Sequence, residues 1–227
     1  AYDFLKSMGV DIQFGKMVTD YRDHKVIMKD GTEIPTRTFL WVSGIRANAM
    51  PGISEDHLGR GFRFKVDQFN RIPGLNDVFA IGDQCLQTTD PAYPNGHPQV
   101  AQVAIQQAKN LAKNIKRINE GHADDNSLTP FKYNNLGSMA TIGRNKAVVE
   151  IGKFHSQGFF AWILWLVVHL RSILGVKNKM MVLLNWLWKY VSYNDSIRMI
   201  TYATKPREVV ERMEREQTTH LGEDLME

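Results

Sequence analysis

The 227-residue chain predicts an α/β fold, α+β in its local layout, on three observations. Short apolar or alternating runs broken by glycine-rich turns fill the first 81 residues. A long amphipathic helical stretch follows at 98–118. A hairpin pattern at 139–151 then leads into two strongly apolar helical stretches, 158–174 and 178–190.

Each element has a local reason. Residues 2–8 read as a helix end, with Gly9 suited to its C-terminal cap. Residues 10–14 form a short apolar run that predicts a strand. Residues 16–21 and 25–29 alternate as strands do, and Asp30-Gly31 is a strong hairpin-turn signal. Residues 38–42, Thr-Phe-Leu-Trp-Val, predict another strand, closed by Ser43-Gly44. Residues 45–75 are rich in Pro and Gly, with alternation at 62–66 suggesting one strand. Residues 77–81 predict a short apolar strand that delivers Gly82-Asp83. Pro98 suits the first turn of the helix that follows, whose face carries Val100, Val103, Ala104, Gln107, Leu111 and Ile115. Residues 121–129 are a polar linker, and 206–216 a charged helix or tail. The divisions expected are 1–50, 51–122, 123–205 and 206–227.

Charge and cysteine content narrow the function. Cys85 is the only cysteine, so neither an intrachain disulfide nor a thiolate zinc site is available, and its expected role is a small buried hydrophobe. The net charge is +4. Residues 151–200 hold six Lys or Arg against one acid, and that basic block coincides with the most apolar part of the chain. Basic charge on an apolar face points to an anionic membrane surface and away from nucleic acid. Residues 159–168 lack any polar side chain, yet ten residues cover only about 15 Å of helix, short of the ~20 residues a bilayer core needs. Trp162, Trp165, Trp186 and Trp188 lie in the two apolar helices, as interfacial helices prefer, and Lys177 and Lys179 lie between them.

The main chemical signal is Asn76-Asp77-Val78-Phe79-Ala80-Ile81-Gly82-Asp83. A glycine lets backbone approach a bulky ligand, and Asp83 supplies a carboxylate for hydroxyl groups. An apolar run ending in Gly-Asp is common by itself. Its context is His97-Pro98-Gln99-Val100-Ala101-Gln102-Val103-Ala104-Ile105-Gln106, and together these resemble the second flavin motif and the Ala-Gln-x-Ala-x-Gln helix start of type II, non-proton-pumping NADH:quinone oxidoreductases, within the two-dinucleotide-fold flavoproteins. Residues 29–34 and 39–48 resemble the end of that superfamily's nicotinamide domain, and 133–148 its small β region.

The resemblance implies partial FAD- and NAD(P)-binding Rossmann-like domains, then a small β hairpin region and C-terminal amphipathic helices. It implies FAD and NADH as cofactors, with Gly82, Asp83, Ala101, Gln102, Val103 and Gly44 at the cofactors, and Gln102 and Gln106 as catalytic groups beside a quinone. A helix N-terminus offers unpaired N–H groups that stabilise the negative charge of a reduced flavin. A homodimer on the cytoplasmic face of the inner membrane is the expected setting.

The departures matter as much. No Gly-x-Gly-x-x-Gly occurs: Gly59-Arg60-Gly61 runs into Phe62-Arg63-Phe64. The chain thus reads as the C-terminal half of a longer protein, expected neither to hold FAD nor to oxidise NADH alone. A sulfide:quinone oxidoreductase needs paired redox cysteines and is excluded for this half. A non-catalytic membrane-binding or oligomerisation module is the alternative. His97 reads as a loop-filling residue, and Asp124-Asp125 lies in a linker without a metal pattern.

Overall fold

The computed structural model describes residues 1–48 and 50–192; the expected tail at 206–227 lies outside them. The chain divides into two compact units, Ala1–Trp165 and Leu166–Glu227.

The first unit opens with helix α1 (Tyr2–Ser7), closed by Gly9, whose N–H donates to Lys6 O at 3.0 Å. An antiparallel meander follows, β1 (Val18–Arg22), β2 (Lys25–Met28) and β3 (Glu33–Pro35), in that spatial order. Asp30-Gly31 makes the second turn as expected. The first is tighter: Asp23 and His24 both adopt positive φ, 48° and 58°, the geometry of a two-residue hairpin turn.

Two expected strands are absent here. Residues 10–14 and 38–42 carry strand-like sequences but no regular structure. A strand needs a neighbour for its backbone groups, and neither segment has one among the described residues. Leu40 and Val42 are consequently 79% and 90% exposed.

Strands β4 (Phe64–Val66) and β5 (Cys85–Gln87) pair in parallel, Phe64 opposite Cys85 and Val66 opposite Gln87. Their core is Phe64, Val66, Ile72, Ala80 and Cys85, with Ile53, Leu58, Leu75 and Val78 packed against it. The expected strand at 77–81 is reduced to a single bridge, Phe79 to Arg71. The segment pairs back on its own loop: Ile72 N–H donates to Val78 O at 2.9 Å and Ala80 N–H to Asn70 O at 3.0 Å. Gly82–Gln84 is a 3-10 turn, so the Gly-Asp pair sits at the entry to β5 and not on the end of a long strand.

Helix α2 (Ala101–Asn119) follows, three residues later in start than the pattern suggested. The hairpin is a three-stranded antiparallel sheet, β6 (Ser138–Thr141), β7 (Ala147–Ile151) and β8 (Phe154–Gly158). β8 escaped the sequence reading because Phe-His-Ser-Gln-Gly shows no apolar alternation; its residues are exposed or half-buried. Ala147 and Val149 of this sheet form a core with Ala161 of helix α3 (Phe159–Ser172), flanked by Met139, Trp162, Leu164 and Trp165.

In the second unit, helix α4 (Val176–Ser192) buries none of its residues. Met180, Met181, Leu184, Leu187 and Trp188 stand exposed. Among the described residues, no helix is long and apolar enough to cross a membrane.

Candidate functional site

The 3-10 turn at Gly82–Gln84 lies against the first turn of α2. Gly82 adopts φ +64°, and a Cβ there would meet the Ala104 Cβ at 3.0 Å, so both the backbone conformation and the close approach call for glycine. Its N–H donates to Gln107 Oε1 at 2.7 Å. Gln107 is 1% exposed, and its Nε2 donates to Cys85 Sγ at 3.4 Å. One buried amide therefore ties the Gly-Asp turn to α2. A second tie is Gln99 Nε2 donating to Asp83 O at 3.0 Å. The Asp83 carboxylate is exposed and has no hydrogen bond or ion pair among the described residues.

α2 begins without a side-chain cap, because its N-cap residue is Val100. Val103 N–H turns back to Val100 O at 3.0 Å, and the Val103 side chain is core, packed with Phe131 and Tyr133. Of the three N–H groups expected to face a cofactor, Val103 is thus closed within the turn. Those of Ala101 and Gln102 remain without an acceptor among the described residues. An exposed helix start carries positive potential and suits an anionic or electron-rich group.

Gly82, Asp83, Ala101 and Gln102 are brought together. Gly44 stands apart from them: it lies in the exposed stretch after residue 42, where no neighbour comes within 4 Å of a Cβ built on it. The strand expected to end at Gly44 is not formed. Gln102 and Gln106 are both engaged by backbone. Gln102 donates to Gly137 O at 2.9 Å and accepts from Leu136 N–H at 3.0 Å. Gln106 donates to Asn134 O at 2.9 Å and accepts from Asn134 N–H at 3.0 Å.

Behind α2's start lies a buried polar group that the sequence did not announce. The His97 and Asp90 side chains are 4% and 1% exposed and meet at 3.1 Å, Nε2 to Oδ2. Burial pushes the Asp90 carboxyl up, but bonds from His97 and from the Ala92 and Tyr133 N–H groups outweigh it and hold the group below the usual carboxylate range. Tyr93, Phe131 and Tyr133 enclose the imidazole at ring distances of 5.1–5.8 Å. Arg63, also buried, donates to His97 O at 3.1 Å and Cys85 O at 3.4 Å, tying both ends of the loop between the Gly-Asp turn and α2. Burial raises the Cys85 thiol, which stays protonated, in keeping with a hydrophobe's role. Gln107 lies on the core-facing side of the amphipathic helix, where a glutamine announces a buried partner.

The family model described as pyridine nucleotide-disulphide oxidoreductase matches residues 1–108, and the NDH2 C-terminal domain model matches residues 135–192. Together the two matches span most of the chain, and on them it is similar to NDH2 proteins and to the pyridine nucleotide-disulphide oxidoreductases. Among NDH2 relatives, the type II NADH:quinone oxidoreductase Ndh of Mycobacterium tuberculosis is 38% identical over 196 residues, covering 83% of this chain and 41% of the relative. The mitochondrial internal alternative NAD(P)H-ubiquinone oxidoreductase A1 of Arabidopsis thaliana is 33% identical over 208 residues, covering 86% and 40%. The chain therefore spans about two fifths of the length of these relatives. In fold, it matches NDH2 from Plasmodium falciparum, solved in complex with NADH, with a TM-score of 0.73 at 15% identity over 87% of this chain and 55% of that one. A Rossmann-like NDH2 architecture is thus the fold of the chain.

Proposed function

We propose that this chain is the flavin- and quinone-facing half of a membrane-associated NADH:quinone oxidoreductase, inactive without the remainder of the protein. The observation that carries the reading is the uncapped start of α2 set against the Gly82-Asp83 turn. FAD, when bound, supplies the two-electron chemistry between NADH and a quinone. The donor set fits its isoalloxazine and ribityl parts: two open N–H groups and one unengaged carboxylate.

The chain's own residues hold and orient. Ala101 and Gln102 N–H groups would face electron-rich atoms of the flavin's pyrimidine ring. Asp83 would accept from ribityl hydroxyls, and Gln107 would keep the turn in register beneath them. The exposed apolar surfaces of α3 and of α4, with Lys177 and Lys179 at the start of α4, support docking on an anionic bilayer. Quinone would reach the site from the bilayer. NADH as donor, the cytoplasmic face and a homodimer belong to the same proposal.

The test is flavin content in the full-length protein. Asp83→Ala is expected to emerge with substoichiometric FAD, and residues 1–227 alone with none. Full flavin occupancy in Asp83→Ala would remove Asp83 from the site, and stoichiometric flavin on the isolated 1–227 chain would overturn the half-site reading.

A further inference from the structure

Four amide side chains on α2 stand four residues apart: Gln102, Gln106, Asn110 and Asn114. That spacing forms one ridge along a helix, about 18 Å from first to last. All four bind the backbone of a single irregular segment, 129–137, running antiparallel to the helix. Asn114 is the deepest. It is 1% exposed, its Nδ2 donates to Thr129 O at 2.9 Å, and its Oδ1 accepts from Thr129 N–H at 2.9 Å. Asn110 Nδ2 donates to the same carbonyl at 2.9 Å. Gln106 holds Asn134 through both its N–H and C=O, and Gln102 holds Leu136 N–H and Gly137 O. Arg117 adds bonds to Ser127 O and Thr129 Oγ1, both at 2.8 Å.

We propose that these amides form a ladder that straps segment 129–137 to α2, making Asn110 and Asn114 positioning residues for the quinone-side end of the helix. This rests on the reading above of α2's start as a flavin site facing quinone. The ladder is graded. Its lower rung is anchored on the buried Asn114, whose two bonds to Thr129 are part-buried, while Asn110's bond, the bonds at Gln106 and the Leu136 N–H bond at Gln102 are exposed to solvent. A hydrogen bond open to water exchanges for an equivalent partner at little net cost, whereas breaking a buried one leaves groups unsatisfied.

The exposed bonds of the upper rung can therefore trade partners, while the bonds made by the buried Asn114 keep the strap in place. The Gln102 Nε2–H that faces Gly137 O is a donor of the kind a quinone carbonyl accepts from. Gly137, at φ +100° and packed on Glu150 and Ile151, fixes where the strap enters β6. The ladder thus ties the helix start to the sheet that carries α3's core contacts.

The test uses the full-length, FAD-loaded protein and a short-chain ubiquinone as probe. Backbone hydrogen exchange in the wild type should show Thr129 and Leu136 N–H protected. Adding the quinone should accelerate Leu136 and leave Thr129 unchanged. Asn114→Ala and, as the milder variant for the exposed rung, Asn110→Ala should raise the quinone KM several-fold. The NADH KM and the NADH:ferricyanide rate should not move. Unprotected Leu136 and Thr129 N–H groups in the wild type would refute the ladder. So would Leu136 exchange that ignores quinone, or an Asn110→Ala variant whose two acceptor activities fall together or do not change. A wild type that reduces ferricyanide but no quinone, with both N–H groups protected, would instead defeat the functional reading, and with it the positioning role, while leaving the strap in place.

Discussion

Replacing Gln107 by Met keeps the length and apolar fit of the side chain and deletes its two polar atoms. Gly82 N–H then loses its 2.7 Å acceptor and Cys85 Sγ its 3.4 Å donor, in a place where the glutamine is 1% exposed. Water cannot readily replace Oε1 there, so the penalty is that of a donor left unsatisfied, about 1–3 kcal/mol. The sulfur contact adds little, being a weak hydrogen bond. For a chain of this size each kcal/mol moves Tm by about 2–4 °C, giving a loss of roughly 2–12 °C. The assay is thermal unfolding of the full-length protein followed by circular dichroism, with flavin release recorded in the same scan. The Gly82-Asp83 turn should loosen first, so FAD should leave at a lower temperature than the main transition. Unchanged Tm and unchanged flavin release in Gln107→Met would refute the claim that this amide holds the turn.

Gly82→Ala should cost about 1–2 kcal/mol from its positive φ alone, plus the push of the new Cβ against Ala104; Ala104→Gly in the same chain should restore only the second part, as a double-mutant cycle in urea would read. Asp90 has its folded-state pKa depressed, so it contributes stability above the unfolded value of about 3.9 that is lost as pH falls through the lower folded value. Urea unfolding from pH 7 downward should therefore show the gap between wild type and Asp90→Asn closing in acid, and a gap independent of pH would contradict the pairing. Reversing Lys177 and Lys179 to Glu should weaken flotation with vesicles containing phosphatidylglycerol by at least about tenfold, at about 1 kcal/mol per basic residue; equal flotation would place the membrane contact elsewhere.

What the sequence made legible follows the physics of each signal. Periodicity found α2, β6, β7 and both apolar helices to within a few residues, because an amphipathic pattern is local. It misplaced residues 10–14, 38–42 and 77–81, because a strand exists only by virtue of its partner. Thr38 to Val42 has strand chemistry but no strand partner among the described residues, and residues 77–81 found theirs in the loop at 70–72. The Gly82-Asp83 turn and the open start of α2 were readable as a motif. The partners of Gln102 and Gln106 were not, since a side-chain amide says nothing of which backbone it will meet thirty residues on. The Asp90–His97 pair was hidden for a similar reason: His97 looked like a loop residue, and only the fold closes Phe131 and Tyr133 over it.

The most direct test of the central claim is NADH oxidation by the full-length, FAD-loaded protein with a short-chain ubiquinone as the sole acceptor. Quinone-dependent turnover in the wild type, falling at least tenfold in Gln102→Ala while ferricyanide reduction persists, is the result the site at α2's start predicts. Equal quinone turnover in Gln102→Ala and wild type, or ferricyanide reduction without any quinone reduction in the wild type, would contradict it.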